Sequence, residues 1–286
     1  MANALGIKNG DSKDELAVLQ QELLEGVFKK AVSAQIKSKV YSGDPTSGSI
    51  VVPRFVNATS AAYGTARAGG KGAALNDKGK VVINVDTDRE IIEEIEAKDI
   101  NLFGIPDIVA RRVGNHISSM TAALDTDFFK IAETAAHTVT TSETNIEDIV
   151  EALIQDVETT QNEYVNGVDR DQIVVTLSPS VYGKLRNHID KVSNPTADSG
   201  EAEIEVFHGA RVFSNIRQTS AVIAMVDGAI AQPVLVSEYS DEKINLSDAH
   251  AVELFYHYGT KAVTPDLIAK LDKLPAKAAT DDKVSR

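Results

Sequence analysis

The stretch GTARAGGKGAALNDKGK at residues 64–80 gathers glycines around Lys71. A phosphate cradle uses that composition: glycine amides wrap the anion and a lysine neutralises it. Such a loop must run straight into a helix, whose N-terminal amides complete the site. Here NDKGK signals a turn, and the β-branched run KVVINVDTD follows it. The spacing fails as well. Gly64, Gly69, Gly70 and Lys71 do not fit G-x-x-x-x-G-K, and Gly72 stands where a metal-binding Ser or Thr is required. The dinucleotide pattern fails at Leu75, which takes the place of the third glycine. The stretch reads instead as the mobile, glycine-rich tip of a long β-hairpin.

Other catalytic chemistry is as thinly supplied. The six histidines (His116, His137, His188, His208, His250 and His257) show no H-E-x-x-H and no two-ligand helical spacing. His250 and His257 lie seven apart, which on a strand puts them on opposite faces. TSGSI around Ser47 is not a nucleophile elbow, which needs G-x-S-x-G on a strand-to-helix turn. Acid pairs abound, so none is diagnostic. No catalytic, metal-binding or cofactor-binding residue is assigned, and no cofactor is expected.

Composition narrows the class. At 286 residues and 43% hydrophobic content the chain can bury a substantial core in one or two domains. It has no cysteine, which removes disulfides and thiolate metal sites and fits intracellular assembly. No apolar run reaches the length of a membrane span, and MANALGIKNGDSKDEL lacks the apolar core of a signal peptide. A formal charge of −13 gives no net attraction to nucleic acid or anionic membrane.

Several elements follow from periodicity. SGSIVV (47–52) and KVVINVDTD (80–88) read as the two hairpin strands. Between residues 54 and 80 the bases Arg54, Arg67, Lys71, Lys78 and Lys80 face one acid, Asp77, whereas DTDREIIEEIEAKD beyond it is strongly acidic. Two strands alone are marginal in water, so the hairpin is expected to lie on another subunit, with those five bases as candidate inter-subunit contacts. A charge run kept only for solubility is the plainer alternative. Val109, Val113, Ile117, Met120, Leu124, Phe128 and Ile131 recur at helical steps and predict one helix over 106–135, opened by Pro106 and carrying Gly114 in its middle. Its apolar stripe is expected on the sheet containing residues 252–258. A second helix is predicted from an Asn145 N-cap to Gly167, with Ile149, Leu153 and Val157 on one face. DQIVVTLSPSVYGKLRNHI reads as a buried strand, a Ser-Pro turn and a short helix. NPTADSGEAEIE reads as an exposed loop, HGARVFSNIR and SAVIAMVDGAIAQPVLV as short strands, and DAHAVELFYHYGTKAVTPDLIAKL as a long strand with a glycine break. From 142 to 172 nine acids stand against one base, which predicts a negative face. PAKAATDDKVSR reads as a disordered tail.

Taken in order, these stretches resemble the major capsid protein of tailed bacteriophages, the Hong Kong 97-like family. DREIIEEIEAKDINLFGIPDIVARRVGNHISSMTAALDTDFF is similar to its passage from hairpin into spine helix. EDIVEALIQDVETTQNEYVNGVDRDQIVVTLSPSVYGKLRN resembles its axial-domain helix, strand and Ser-Pro run. FHGARVFSNI is similar to its glycine-then-strand element, and AVELFYHYGTKAVTPDLI to its final peripheral strand. The resemblance covers about residues 42–274. It implies an α+β fold divided as an N-terminal arm (1–45), an extended β-hairpin (46–90), a peripheral domain with spine helix (91–140), an axial domain (141–235), returning peripheral strands (236–275) and a tail (276–286). It implies a structural protein and not an enzyme: a subunit forming hexamers and pentamers of an icosahedral shell around double-stranded DNA, located in the virion and assembled in the host cytoplasm. About 40 residues precede the hairpin, including DELAVLQQELLEGVFKKAV, so a separate scaffolding protein is expected, and the resemblance implies a portal as a further assembly partner. Some relatives crosslink a hairpin lysine to a neighbour's asparagine; Lys71 and Lys78 are available, but no acceptor environment is identified. An encapsulin-like nanocompartment shell is the alternative with the same fold. An α/β enzyme binding a phosphorylated ligand at Lys71 is the alternative from another class.

Overall fold

The computed structural model describes residues 23, 25–27, 29–41, 45–58, 60, 62–65, 69, 79–95, 105–193, 204–245, 247 and 249–275. Among them the strands are β1 (Ser49–Arg54), β2 (Gly79–Asn84), β3 (Thr87–Ile95), β4 (His137–Thr138), β5 (Ile173–Leu177), β6 (Val206–Phe207), β7 (Ala210–Ser214), β8 (Val222–Val226), β9 (Ile230–Ala231), β10 (Val234–Lys243), β11 (His250–Tyr258), β12 (Lys261–Ala262) and β13 (Ile268–Leu271). The helices are α1 (Val32–Ile36), α2 (Ile105–Ala135), α3 (Ile146–Glu158) and α4 (Pro179–Ser193). The chain divides into two compact units, one of residues 1–51, 82–128 and 231–261, the other of residues 52–81, 129–230 and 262–286.

The first unit is built on an antiparallel sheet in the order β10-β11-β3, with Leu254 opposite Ile91 and Tyr256 opposite Arg89. On β11, alternation puts Val252, Leu254, Tyr256 and Tyr258 on one buried face. Against that face lies the predicted helical stripe of Val113, Ile117, Met120 and Leu124 from α2, with Leu23, Val27 and Ala31 from the N-terminal residues. The expected helix over 106–135 is α2, and its 31 residues span about 46 Å at 1.5 Å per residue. The amphipathic segment before α1 therefore supplies core side chains.

Polar groups fix these layers. Asp125 on α2 is 5% exposed and accepts the amides of Ser33 at 3.0 Å and Val32 at 3.4 Å. Buried Gln232 donates its side-chain amide to Leu124 O at 3.0 Å and Thr260 Oγ1 at 2.9 Å, and its backbone carbonyl accepts from Lys37 Nζ at 3.1 Å. Burial lowers the Lys37 ammonium to about 8. Tyr258 donates its hydroxyl to Asp127; burial first, then that bond, pushes the phenol up to about 12.

The acidic segment after the hairpin, similar in sequence to a passage into the spine helix, contains a strand of its own. Residues 87–95 form β3, an edge strand along β11. Its acids have basic neighbours: Arg112 Nε donates to Glu93 Oε2 at 2.5 Å, His116 Nε2 lies 3.1 Å from the same oxygen, and His257 Nδ1 lies 2.6 Å from Asp88 Oδ1. The hydrogen bond from Arg112 leads in holding the Glu93 carboxyl below its ordinary range. The second hairpin strand accordingly stops at Asn84 instead of running to residue 88. Gly259, the expected glycine break, packs there: a Cβ on it would lie 1.9 Å from Asn84 O, so only glycine fits.

The second unit is a mixed six-stranded sheet in the order β4-β13-β8-β5-β7-β6. Central β5, predicted as a buried strand from its continuous apolar run, is buried at every residue, parallel to β7 and antiparallel to β8. Ile149, Leu153 and Val157 of α3 and Val181 and Leu185 of α4 form one core with Val175, Val212 and Ala224. Pro179 opens α4 directly after Ser178, as the Ser-Pro turn predicts. Helix α3 starts after Asn145 but ends at Glu158, not at Gly167. Thr159 and Thr160 turn their hydroxyls back onto the carbonyls of Gln155 and Asp156, at 2.7 and 2.9 Å, and Asn162 Oδ1 accepts the amides of Tyr164 and Val165 at 2.8 and 2.9 Å. These local bonds compete with helix continuation. Gly167, at φ +92°, closes the loop that results. Of the expected exposed loop at 194–205, residues 194–203 lie outside the described residues, while half-buried Ile204 donates its amide to the Tyr182 hydroxyl at 2.9 Å; the tail at 276–286 lies outside them as well.

Candidate assembly surface

Strands β1 and β2 pair with each other in a sheet of their own, as the hairpin reading requires. Between them, Ala62 O accepts from Thr65 N at 3.2 Å and Thr65 Oγ1 at 2.7 Å, and Gly64 takes φ +93° in the turn. Tyr63 in that turn is 93% exposed and Phe55 49% exposed. Most of the glycine-rich tip, with Arg67, Lys71 and Lys78, lies outside the described residues.

Of the five bases singled out by charge, Arg54 and Lys80 are described. Lys80 sits on β2 with its side chain exposed. Arg54 ends β1 and pairs within its own chain with Asp266. Its guanidinium carbon lies 4.0 Å from the centroid of the Tyr164 ring, a cation–π distance. Asp266 Oδ2 also accepts Asn162 Nδ2 at 3.0 Å, and Asn57 N donates to Glu163 O at 2.9 Å. Sequence reasoning did not find Asn162, Tyr164 or Asp266, which stand more than a hundred residues from Arg54.

The negative face expected over 142–172 is partly neutralised. Arg170 donates to Glu151 Oε1 at 2.5 Å and to Glu158 Oε2 at 2.9 Å. His208 Nδ1 lies 2.8 Å from Glu151, His137 Nε2 2.5 Å from Asp156 and His188 Nδ1 3.5 Å from Glu147. Burial pushes the Glu151 carboxyl up, but hydrogen bonds from Arg170, His208 and Gln155 outweigh it and bring it down to about 2. Glu143, Glu163, Asp169 and Asp171 remain on the surface.

A second presented element is the turn between β7 and β8. Asn215 and Gln218 are buried, and Gln218 Nε2 donates to the carbonyls of Thr176 and Ser220 at 3.1 and 3.0 Å. Glu133 accepts the amides of Thr219 and Ser220 at 2.6 and 2.8 Å. This bonding fixes a turn whose outward side chains are Arg217 and Ile216, the latter 72% exposed.

Among the described residues no group of three or more His, Asp or Glu side chains could hold a metal ion, and no helix is long and apolar enough to cross a membrane.

No protein-family model matches the chain, and no curated protein matches it in sequence. Solved structures do match in fold. A chain from Mycobacterium phage Che8 superposes at TM-score 0.60 and 15% identity, over 79% of this chain and 84% of that one. The capsid of cyanophage P-SCSP1u gives 0.59 and 14%, over 84% and 87%. The virus-like particle from Pyrococcus furiosus gives 0.55 and 11%, over 90% and 99%. The chain has the fold of phage major capsid proteins.

Proposed function

We propose that this chain is the major capsid subunit of a tailed phage, assembling as hexamers and pentamers into an icosahedral shell around double-stranded DNA. The observation that carries the reading is the fold shared with the cyanophage capsid over most of both chains. Within it, the sheet of β10, β11 and β3 with α2 takes the role of the Hong Kong 97-like peripheral domain. The six-stranded sheet takes that of the axial domain, and β1, β2 and the segment between them take that of the extended loop. A closed shell repeats heterologous contacts around its axes, and protruding segments supply them. Lys80, with Arg67, Lys71 and Lys78, is assigned to such a contact with surface acids of a neighbouring copy. Each exposed pair contributes only about 0–1 kcal/mol, so the effect rests on repetition. The charge of −13 suits a wall that must release its DNA.

A second reading, an encapsulin-like nanocompartment shell, is favoured by the near-complete coverage of the Pyrococcus furiosus chain. The contents separate the two. Particles recovered from their native source, treated with nuclease and then opened, should release protected double-stranded DNA; shells holding protein cargo and no DNA would establish the second reading instead.

A further inference from the structure

We propose that Arg54 is a positioning residue: with Tyr164 and Asp266 it clamps the root of the β1–β2 segment and sets the direction in which that segment meets a neighbouring copy. This rests on the shell reading and assigns that shell a device for fixing its geometry.

The arrangement is costly unless it does more than fill space. Arg54 has 14% of its side chain exposed, yet it belongs to neither apolar core. Its Nε has no hydrogen-bond partner among the described residues, and what covers the guanidinium is the ring face of Tyr164. Taking a guanidinium out of water for one carboxylate and one ring contributes little net stability. It does define a geometry, because the planar fork and the ring permit few relative orientations.

Both limbs of the segment are held at this point. On the outgoing limb, Arg54 engages Asp266 and Tyr164, and three residues on Asn57 N donates to Glu163 O at 2.9 Å. On the returning limb, Gly79 lies so close that a Cβ would sit 3.2 Å from Arg54 Cβ and 3.5 Å from the Tyr164 hydroxyl oxygen. The platform is itself preset, since Asn162 binds the Tyr164 amide with its oxygen and Asp266 with its nitrogen. Beyond the clamp stand Phe55 and Tyr63, exposed aromatics of the kind that anchor interfaces. A small rotation at the root is multiplied along the segment, so the clamp fixes where those anchors arrive.

The test compares Arg54→Ala, Tyr164→Ala and Tyr164→Phe in the full chain. The readouts are hydrogen exchange of the Asn57 amide in the unassembled subunit, the subunit's melting temperature, and particle diameters by electron microscopy. Both alanine variants should raise Asn57 exchange by about tenfold or more, leave the melting temperature near the parent's, and give particles of broadened diameter or strongly reduced yield. Tyr164→Phe keeps the ring face and should behave as the parent in all three. Parental particles from Arg54→Ala despite faster exchange would overturn the proposal, as would unchanged Asn57 exchange. Should Arg54→Ala not fold, Asp266→Asn carries the same comparison. A parent that forms no shell refutes the shell reading itself, while the exchange result still decides whether the clamp exists.

Discussion

The carboxylate of Asp125, about two-thirds of the way along α2, accepts the backbone amide of Ser33 at 3.0 Å, ninety-two residues away in sequence. It holds the start of α1 against the long helix. Asp125→Ala would leave buried amides without their acceptor and should cost about 1–3 kcal/mol. Asp125→Asn, which retains a carbonyl oxygen, should cost less. Urea unfolding of the unassembled subunit checks both; equal losses would contradict this account, because they would show that a retained carbonyl oxygen does not serve as the acceptor.

Lys37 should give the protein an alkaline stability gain. The unfolded chain holds that proton to the ordinary lysine value of about 10.5, the native state only to about 8, so between these values unfolding takes up a proton and stability rises with pH. The full difference is about 3 kcal/mol. Lys37→Met should remove that slope and raise stability at neutral pH. Parallel pH–stability profiles for parent and variant would contradict it.

Acid works through Glu151. Its folded value of about 2 lies below the unfolded 4.5, so its contribution is present above about pH 4.5 and is lost as pH falls toward 2. Glu151→Gln should be less stable than the parent at neutral pH and should flatten this acid limb. Melting temperatures between pH 2.5 and 6 read the effect, and an unchanged slope would show that Arg170 and His208 do not hold the carboxylate in solution.

Two glycines should respond in opposite ways. Gly259→Ala drives a Cβ into Asn84 O and should destabilise the first unit severely. Gly114 lies mid-helix with nothing within 4 Å of its would-be Cβ, so Gly114→Ala should stabilise the subunit by about 0.5–1 kcal/mol. Thermal melts of the two variants decide it, a destabilised Gly114→Ala being the contrary result.

What was legible in the sequence was what a local period can carry. The stripe from Val113 to Leu124, the alternation of β11 and the apolar run of β5 each announce a buried face from residues a few positions apart. Strand β3 is hidden because Asp88, Glu90, Glu93 and Glu94 interrupt its isoleucines; Arg112, His116 and His257, which lie against two of those acids, come from distant elements. Helix α3 ends before the Gly167 signal because the hydroxyls of Thr159 and Thr160 bond backward to the last turn, an effect no glycine marks. Arg54 stood out by charge, but nothing local names Asp266, 212 residues away, as its partner. Clusters assembled from distant parts of the chain leave no periodic trace.

The central claim is that copies of this chain close into a shell. Electron microscopy of the protein recovered from its native source, where any scaffolding partner is present, tests it most directly. Closed, hollow particles of uniform diameter are the predicted result, and discrete small oligomers with no curved assemblies at any protein concentration or ionic strength would contradict it.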